Sequence, residues 1–347
     1  MYDSQEHFAH LYNIAQREYA FRATTLEQVY AWQQAFRPRL EEALGLDAIA
    51  AQVAGHVPCA TQLDESDESD HIRQRWVLQV EPTVPLPFVL LLPKGSEAAR
   101  PLIITPHGHG RNTELYAGIY HSEEERLSIV EGERDVALQA VREGYIAIAP
   151  TTRGFGETRT EADREADVTS SCRTLLMHDV LVGRTPIGDR VWDVSRLLDW
   201  ALANLPVDPR RVAVTGNSGG GTVSLFAAAC DERIAVAAPA SYFCTFAGSI
   251  GSIHHCDCNY VPGLLNLGEM YDVAGLIAPR AFIAIAGRQD PIFPIDQVRL
   301  GFERLQTIYA VAGVPERCAL FVGEGGHRYY KQGAWPFIRQ QFARLVA

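Results

Sequence analysis

The run Val212-Ala213-Val214-Thr215-Gly216-Asn217-Ser218-Gly219-Gly220-Gly221 contains a Gly-x-Ser-x-Gly motif. An apolar, β-type stretch leads into it and an apolar, alanine-rich stretch over 222–230 follows. This is the pattern of a nucleophile elbow: strand, sharp turn, helix, with the serine at the tip. A serine on so tight a turn has strained backbone angles, and Gly216 and Gly220 remove side chains that would collide with the strand or the helix. The helix that follows aims its N-terminal N–H groups where negative charge would develop. The bare motif recurs by chance. Its strand-to-helix context favours a nucleophile over a glycine-rich turn with an idle serine.

A serine hydroxyl is a weak nucleophile at neutral pH. It needs a base within hydrogen-bond reach and a third group to fix the base's tautomer. Elbow enzymes carry these in the chain order serine, acid, histidine. Of the histidines after Ser218 (His254, His255 and His327), only His327 follows a predicted late strand. It sits in Gly323-Glu324-Gly325-Gly326-His327, where glycines let a loop turn back over the sheet. His327 is therefore the expected general base. Asp290 is the expected acid, just past the strand over 281–286, although an Asp-Pro pair also forms turns. Its rivals are Asp272, which precedes that strand, and Glu324, which is close to His327 in sequence. Two N–H donors must face the tetrahedral oxyanion. Gly219, directly after the serine, is expected to supply one. His109, in Pro106-His107-Gly108-His109-Gly110, is expected to supply the other from its backbone.

Two further clusters compete for roles. His107 and His109 form a His-x-His pair, a frequent metal-ligand spacing, and His254-His255-Cys256-Asp257-Cys258 brings two imidazoles and two thiols together. Neither Cys-x-x-Cys nor His-x-x-x-His spacing is present in the second cluster, and ester cleavage by a serine needs no metal. It is read as a structural or substrate-lining loop, and no metal or cofactor is expected. Arg153, in Arg153-Gly154-Phe155-Gly156, is expected to hold its loop by hydrogen bonds rather than to anchor a substrate carboxylate.

Positioning these groups calls for a sheet. Strands are expected over 73–80, 88–92, 102–105, 145–149, 212–216, 234–238, 281–286 and 319–322, and helices over 136–143, 187–205 and 222–230. Such alternation implies an α/β fold with a mostly parallel central sheet and helices on both faces. Residues 1–60 read as an N-terminal helical arm, with Thr24-x-x-Glu27 as a capping box, an apolar face on Leu26, Val29, Tyr30 and Phe36 interrupted by Gln33, and a break or kink at Pro38. Residues 61–347 form the main domain. The acidic stretch 61–71 is expected to be a solvated loop, and Pro82, Pro85 and Pro87 a turn. Residues 242–276 lack periodicity and read as an excursion over the top of the sheet.

The 347 residues carry a net charge of −11 and are 47% hydrophobic, which fits a soluble chain with a sizeable core and argues against nucleic acid or an anionic membrane as partner. Seven cysteines, an odd number, suggest reduced thiols and a cytoplasmic location. No signal peptide is expected from Met1-Tyr2-Asp3-Ser4-Gln5-Glu6-His7. The expected partner is a small-molecule ester. The N-terminal helices pack on the main domain or on a second copy, so a homo-oligomer stays open.

Taken together, His107-Gly108-His109-Gly110, Arg153-Gly154-Phe155-Gly156, Gly216-Asn217-Ser218-Gly219-Gly220, Asp290-Pro291 and Gly326-His327 resemble the α/β-hydrolase superfamily. Within it, the chain is similar to the acetylxylan-esterase and dienelactone-hydrolase-like branch. The resemblance covers roughly residues 73–347. It implies a serine carboxylesterase acting on small acyl groups, with Ser218, Asp290 and His327 as catalytic triad and the N–H groups of His109 and Gly219 as oxyanion hole. Dienelactone hydrolases proper use a cysteine nucleophile, and this chain has Ser218, so that lactone chemistry is not expected. A serine peptidase of the prolyl-oligopeptidase kind, or a non-catalytic ligand-binding relative, are the alternatives.

Overall fold

The structure, a computed structural model, describes residues 2–95, 98–110 and 113–346. Met1 and Ala347, the outer ends of the two expected regions, lie outside the described residues. One nine-stranded sheet organises the chain, in the order β1-β2-β3-β5-β4-β6-β7-β8-β9. The strands are β1 (Cys59–Asp67), β2 (His71–Glu81), β3 (Val84–Pro93), β4 (Arg100–Ile104), β5 (Ile146–Pro150), β6 (Val207–Asn217), β7 (Val236–Ala240), β8 (Ala281–Gly287) and β9 (Cys318–Gly323). Strands β1 to β3 run antiparallel and β3 pairs antiparallel with β5, while all pairings from β5 through β4 to β9 are parallel.

Strand side chains alternate between two faces, and both faces are dry. Leu102, Ile104, Val212 and Val214 enter one apolar layer. Their neighbours Ile103 and Ala213 enter the other. Ahead of the sheet come the helices α1 (Ser4–Ile14), which buries no residue, α2 (Leu26–Leu44) and α3 (Leu46–Gln52). The first layer is closed by α2 and, later in the chain, by Pro186–Asn204, Gly219–Cys230 and Ile295–Val311, all of which supply buried apolar side chains to it. The second is covered by the helices Val136–Arg142 and Lys331–Arg344, through Val136, Ala140, Trp335, Ile338 and Phe342.

Four sequence expectations are corrected here. Residues 61–71 are mostly strand: β1 pairs along β2, and its acidic side chains face water as on other charged edge strands. Glu68, just beyond it, meets Arg73 at 2.8 Å. The proline-rich turn shrinks to Pro82-Thr83, since Pro85 and Pro87 lie within β3. They are tolerated because β3 gains its second neighbour only from Phe88 onward, so their missing N–H groups break no second ladder. Pro38 does not end α2, which continues to Leu44 while Phe36, Leu40 and Leu44 stay fully buried. The cap of α2 is Thr25 rather than Thr24, its side chain accepting from the Gln28 N–H.

The buried stripe of α2 is Val29, Gln33, Phe36, Leu40 and Leu44, with Leu26 and Tyr30 exposed. Gln33 belongs to it because its amide donates to the carbonyls of Gly275 and Ala278, at 3.0 and 2.6 Å. The chain ahead of α2 is tied to the same excursion. The N–H groups of Glu18 and Tyr19 donate to the carbonyls of Asn266 and Leu267, and the Phe21 N–H donates to Asp272. α2 and the segment just before it are thus part of the core. Phe36, stacked on Tyr19 at 5.1 Å, is their anchor. Phe36→Ala is expected to cost about 3–5 kcal/mol, read as a lowered urea midpoint with a single transition.

Candidate active site

Ser218 follows β6 and caps the helix Gly219–Cys230, at φ 58° and ψ −119°. A side chain in this left-handed region is uncommon and persists only where the surroundings impose it. They do so here by close approach. A Cβ on Gly216 would lie 2.1 Å from the Pro106 carbonyl oxygen, and one on Gly220 would lie 2.0 Å from the same atom. The glycines therefore admit the 106–110 loop, rather than only relieving strand and helix. The Ser218 N–H is held by the Ala240 carbonyl at 2.8 Å.

Asp290 follows β8 and His327 follows β9, so both emerge at the carboxyl end of the sheet on the same side as Ser218. His327 Nδ1 meets Asp290 Oδ2 at 2.8 Å. The other oxygen of Asp290 accepts from the N–H groups of Ile292 and Phe293, at 3.0 and 3.2 Å, which fixes the carboxylate while its side chain is 1% exposed. Phe293 stacks on the His327 ring at 5.8 Å and 15°. The rival acids lie elsewhere. Asp272 accepts from the Glu269 and Phe21 N–H groups, and burial raises its carboxyl to about 6. Glu324 is exposed and pairs with Arg288 at 2.8 Å.

The loop after β4 brings two imidazoles of different character. His107 is fully buried, with Nδ1 at 2.6 Å from the Gly108 carbonyl and Nε2 accepting from the Thr152 N–H at 3.0 Å. That pattern assigns the proton to Nδ1. Burial drives its pKa from 6.5 to about 4, so the ring is neutral and braces the loop. His109 lies against the elbow: a Cβ on Gly219 would be 3.3 Å from its Cε1 and Nδ1. Burial lowers its pKa as well.

Arg153 is buried. Its guanidinium is buried among Glu81, Asp189 and Asp193, at 2.7, 2.8 and 2.5 Å, and its carbonyl accepts from Arg190 Nε and Nη2. It holds its loop as an ion-pair hub.

The His254–Cys258 segment divides. His254 is exposed, and His255 is buried with Nε2 at 3.0 Å from Ser249 Oγ. Cys256 and Cys258 turn toward His109 and toward Cys172, a residue that sequence spacing does not single out. Cys172 lies 84 positions earlier than Cys256 (256 − 172), and only the fold brings it there.

Two cavities meet at Ser218. A larger one, about 960 Å³, is lined by His109, Asn217, Ser218 and His327 with Glu124, Glu131, Arg134 and Arg328 around it. A smaller one, about 210 Å³, is walled by Tyr242, His254, His255, Cys256, Asn259 and Phe293, from the irregular top-face excursion and the loop after β8.

A mostly parallel sheet with a strained serine after β6, an aspartate after β8 and a histidine after β9 defines the α/β-hydrolase fold. The chain has this fold. Comparison with known proteins agrees. Residues 83–251 match the X-Pro dipeptidyl-peptidase (S15) family. The "Putative hydrolase YtaP" of Bacillus subtilis (strain 168) is 24% identical over 75% of this chain and 84% of its own length. Among solved structures, a "putative acetyl xylan esterase" from Bacteroides fragilis NCTC 9343 superposes with a TM-score of 0.77 at 17% identity, covering 97% of this chain and 84% of that one. A glucuronoyl esterase from Solibacter usitatus gives a TM-score of 0.64 at 13% identity, over 94% and 98% of the two chains. An acetyl xylan esterase from Paenibacillus sp. R4 gives 0.57 at 18%, over 95% and 97%.

Two outcomes follow from this geometry. Gly220→Ala is expected to push the Pro106 carbonyl out of place and to lower the thermal midpoint, with Ser224→Ala on the same helix as a milder reference. The second concerns pH. His107 has a folded pKa of about 4 against 6.5 when unfolded, so the unfolded chain binds a proton that the fold rejects. Its contribution is complete above about pH 6.5 and is lost as pH falls toward 4, by about 3 kcal/mol at most. Urea midpoints between pH 7 and 5 are expected to fall less steeply in His107→Gln than in the native chain.

Proposed function

We propose that the protein is a serine carboxylesterase that removes short, acetyl-type acyl groups from polar alcohols. The observation that carries this reading is the 2.8 Å contact between His327 Nδ1 and buried Asp290, beside a cavity that His327 shares with the strained Ser218. With Nδ1 donating to Asp290, Nε2 is left to accept a proton. In the proposed reaction His327 takes the proton of Ser218 as Oγ attacks the ester carbonyl. The N–H groups of Gly219 and His109 receive the oxyanion. His327 then protonates the leaving alcohol, and water activated by the same ring releases the acid. Asp290 keeps the imidazole in the required tautomer and stabilises its charged form.

The unequal cavities support the choice of substrate. A space of about 210 Å³ behind Ser218 suits a short acyl group, and the wide cleft with Glu124, Glu131, Arg134 and Arg328 suits a hydroxyl-rich alcohol. The solved structures named acetyl xylan esterase and glucuronoyl esterase are consistent with this class. The match of residues 83–251 to an X-Pro dipeptidyl-peptidase family favours one second reading, a peptidase using the same groups. The seven free thiols fit the reducing conditions of a cytoplasmic location.

The test is a rate comparison. p-Nitrophenyl acetate is expected to be cleaved with a higher kcat/KM than the octanoate, and X-Pro p-nitroanilides to be poor substrates. A preference for the anilides would replace esterase by peptidase. Ser218→Ala is expected to lower kcat by about 10³-fold or more with the fold intact by circular dichroism, and to abolish labelling by a fluorophosphonate. A variant that keeps most of its activity would remove Ser218 from the mechanism.

A further inference from the structure

Beside the elbow, four soft donors converge from three separate segments. They are His109 from the loop after β4, Cys172 from the N-terminus of the helix Cys172–Leu181, and Cys256 and Cys258 from the top-face excursion. One ligand atom from each lies within 4.8 Å of the others. The Cys258 and Cys256 sulfurs are 3.5 Å apart, and Cys258 Sγ is 3.6 Å from His109 Nε2. We propose that His109 Nε2 and the sulfurs of Cys172, Cys256 and Cys258 bind a structural zinc ion.

The distances fit that ion. A tetrahedral site with Zn–S near 2.3 Å and Zn–N near 2.0 Å has ligand-to-ligand edges of roughly 3.5–3.8 Å. The two measured edges fall at this value, and the remainder need only small side-chain rotations. The donor set is selective. Three thiolates and an imidazole suit zinc, whereas calcium and magnesium take oxygen ligands. All four positions come from protein, which marks a structural site with no place for a reacting water.

The surroundings fit the charge. Zinc with three thiolates and a neutral imidazole carries one net negative charge. Arg190, 2% exposed, lies against it, with Nη2 at 3.4 Å from Cys172 Sγ. Its contacts also include the Arg153 carbonyl and the face of Phe155 at 5.1 Å. Among the described residues no carboxylate forms a salt bridge with this buried guanidinium. A buried cation needs a compensating anion, and an anionic metal cluster supplies one. Phe155, Cys172 and Cys258 form a small dry cluster around the site, while Cys256 also lines the smaller cavity and gives an entry path. A disulfide between two of the thiols would leave the third thiol outside it. It would also discharge the sulfurs that face Arg190.

The ion would tie together the 106–110 loop, the helix Cys172–Leu181 and the excursion that walls the smaller cavity. It would do so through the imidazole of His109, whose backbone N–H is the second oxyanion donor in the reading above. Metal content is independent of that reading, so the two can fail separately.

The experiment is metal analysis of the untagged protein, purified under reducing conditions without chelator. About one zinc per chain is expected, released when the thiols are titrated with a mercurial. Cys172→Ser and Cys258→Ser are expected to lose the ion, and Cys59→Ser, at an exposed cysteine outside the cluster, to retain it. If the first two variants do not fold, cobalt substitution of the native chain reads the same site. Thiolate-to-cobalt charge-transfer bands with tetrahedral d–d bands support it, and an octahedral spectrum overturns it. Folded native protein with less than about a tenth of an equivalent of zinc, even after incubation with zinc, overturns the proposal. So does a mass showing a disulfide within the cluster, or zinc retained in a Cys172→Ser, Cys258→Ser double variant.

Discussion

One backbone oxygen governs the site. The Pro106 carbonyl occupies the space where side chains on Gly216 and Gly220 would begin, so the loop after β4 and the turn after β6 can meet only as glycine against backbone. Gly108 repeats the device from the other side, since a Cβ there would lie 2.7 Å from the Asn217 carbonyl oxygen. These contacts bring the loop that carries His109 against the serine, and they depend on main-chain shape rather than on any side-chain bond. Neutral His107, gripping Gly108 and Thr152, then keeps the loop from relaxing.

Behind this dry junction lies a charged one. Arg153 and Arg184 share Glu81 and Asp189, and Arg153 adds Asp193. Glu81 ends β2, Arg153 follows β5, and the two aspartates sit in the first turns of the helix Pro186–Asn204. Replacing such a network with apolar groups is often neutral, but removing one member strands the others in a medium of low polarity. Its value lies in fixing three elements against one another near the carboxyl end of β5.

The parts of the site that were legible in sequence are those whose geometry is local. Gly-x-Ser-x-Gly between strand and helix, Asp290 just past one strand and His327 just past another each show within about a dozen residues, because strand ends set their positions. The strand-helix alternation likewise gave the α/β fold. What escaped depends on distant partners. β1 reads as an acidic loop until β2 is beside it, since pairing rather than propensity makes it a strand. Gln33 reads as a flaw in an apolar stripe until the carbonyls of Gly275 and Ala278 receive its amide. Pro38 reads as a break or a kink because local rules count its missing N–H, whereas the burial of Phe36, Leu40 and Leu44 carries α2 on through it. Cys172 gives no local signal at all. A motif scan looks for ligands at short spacing, and here one thiol arrives from a separate helix.

The hydrogen bonds from the segment before α2, and from Gln33 within it, to residues 266–278 have an evolutionary consequence. The excursion that walls the smaller cavity is not a loop hung between two strands, because its last part is held by chain that precedes the sheet entirely. Natural drift or laboratory shuffling that exchanged this excursion alone would bring in carbonyls and an Asp272 equivalent without their donors. Inheritance of a new cavity wall therefore requires two distant stretches of gene to travel together. This ties the shape of the cavity to a part of the chain that does not line it.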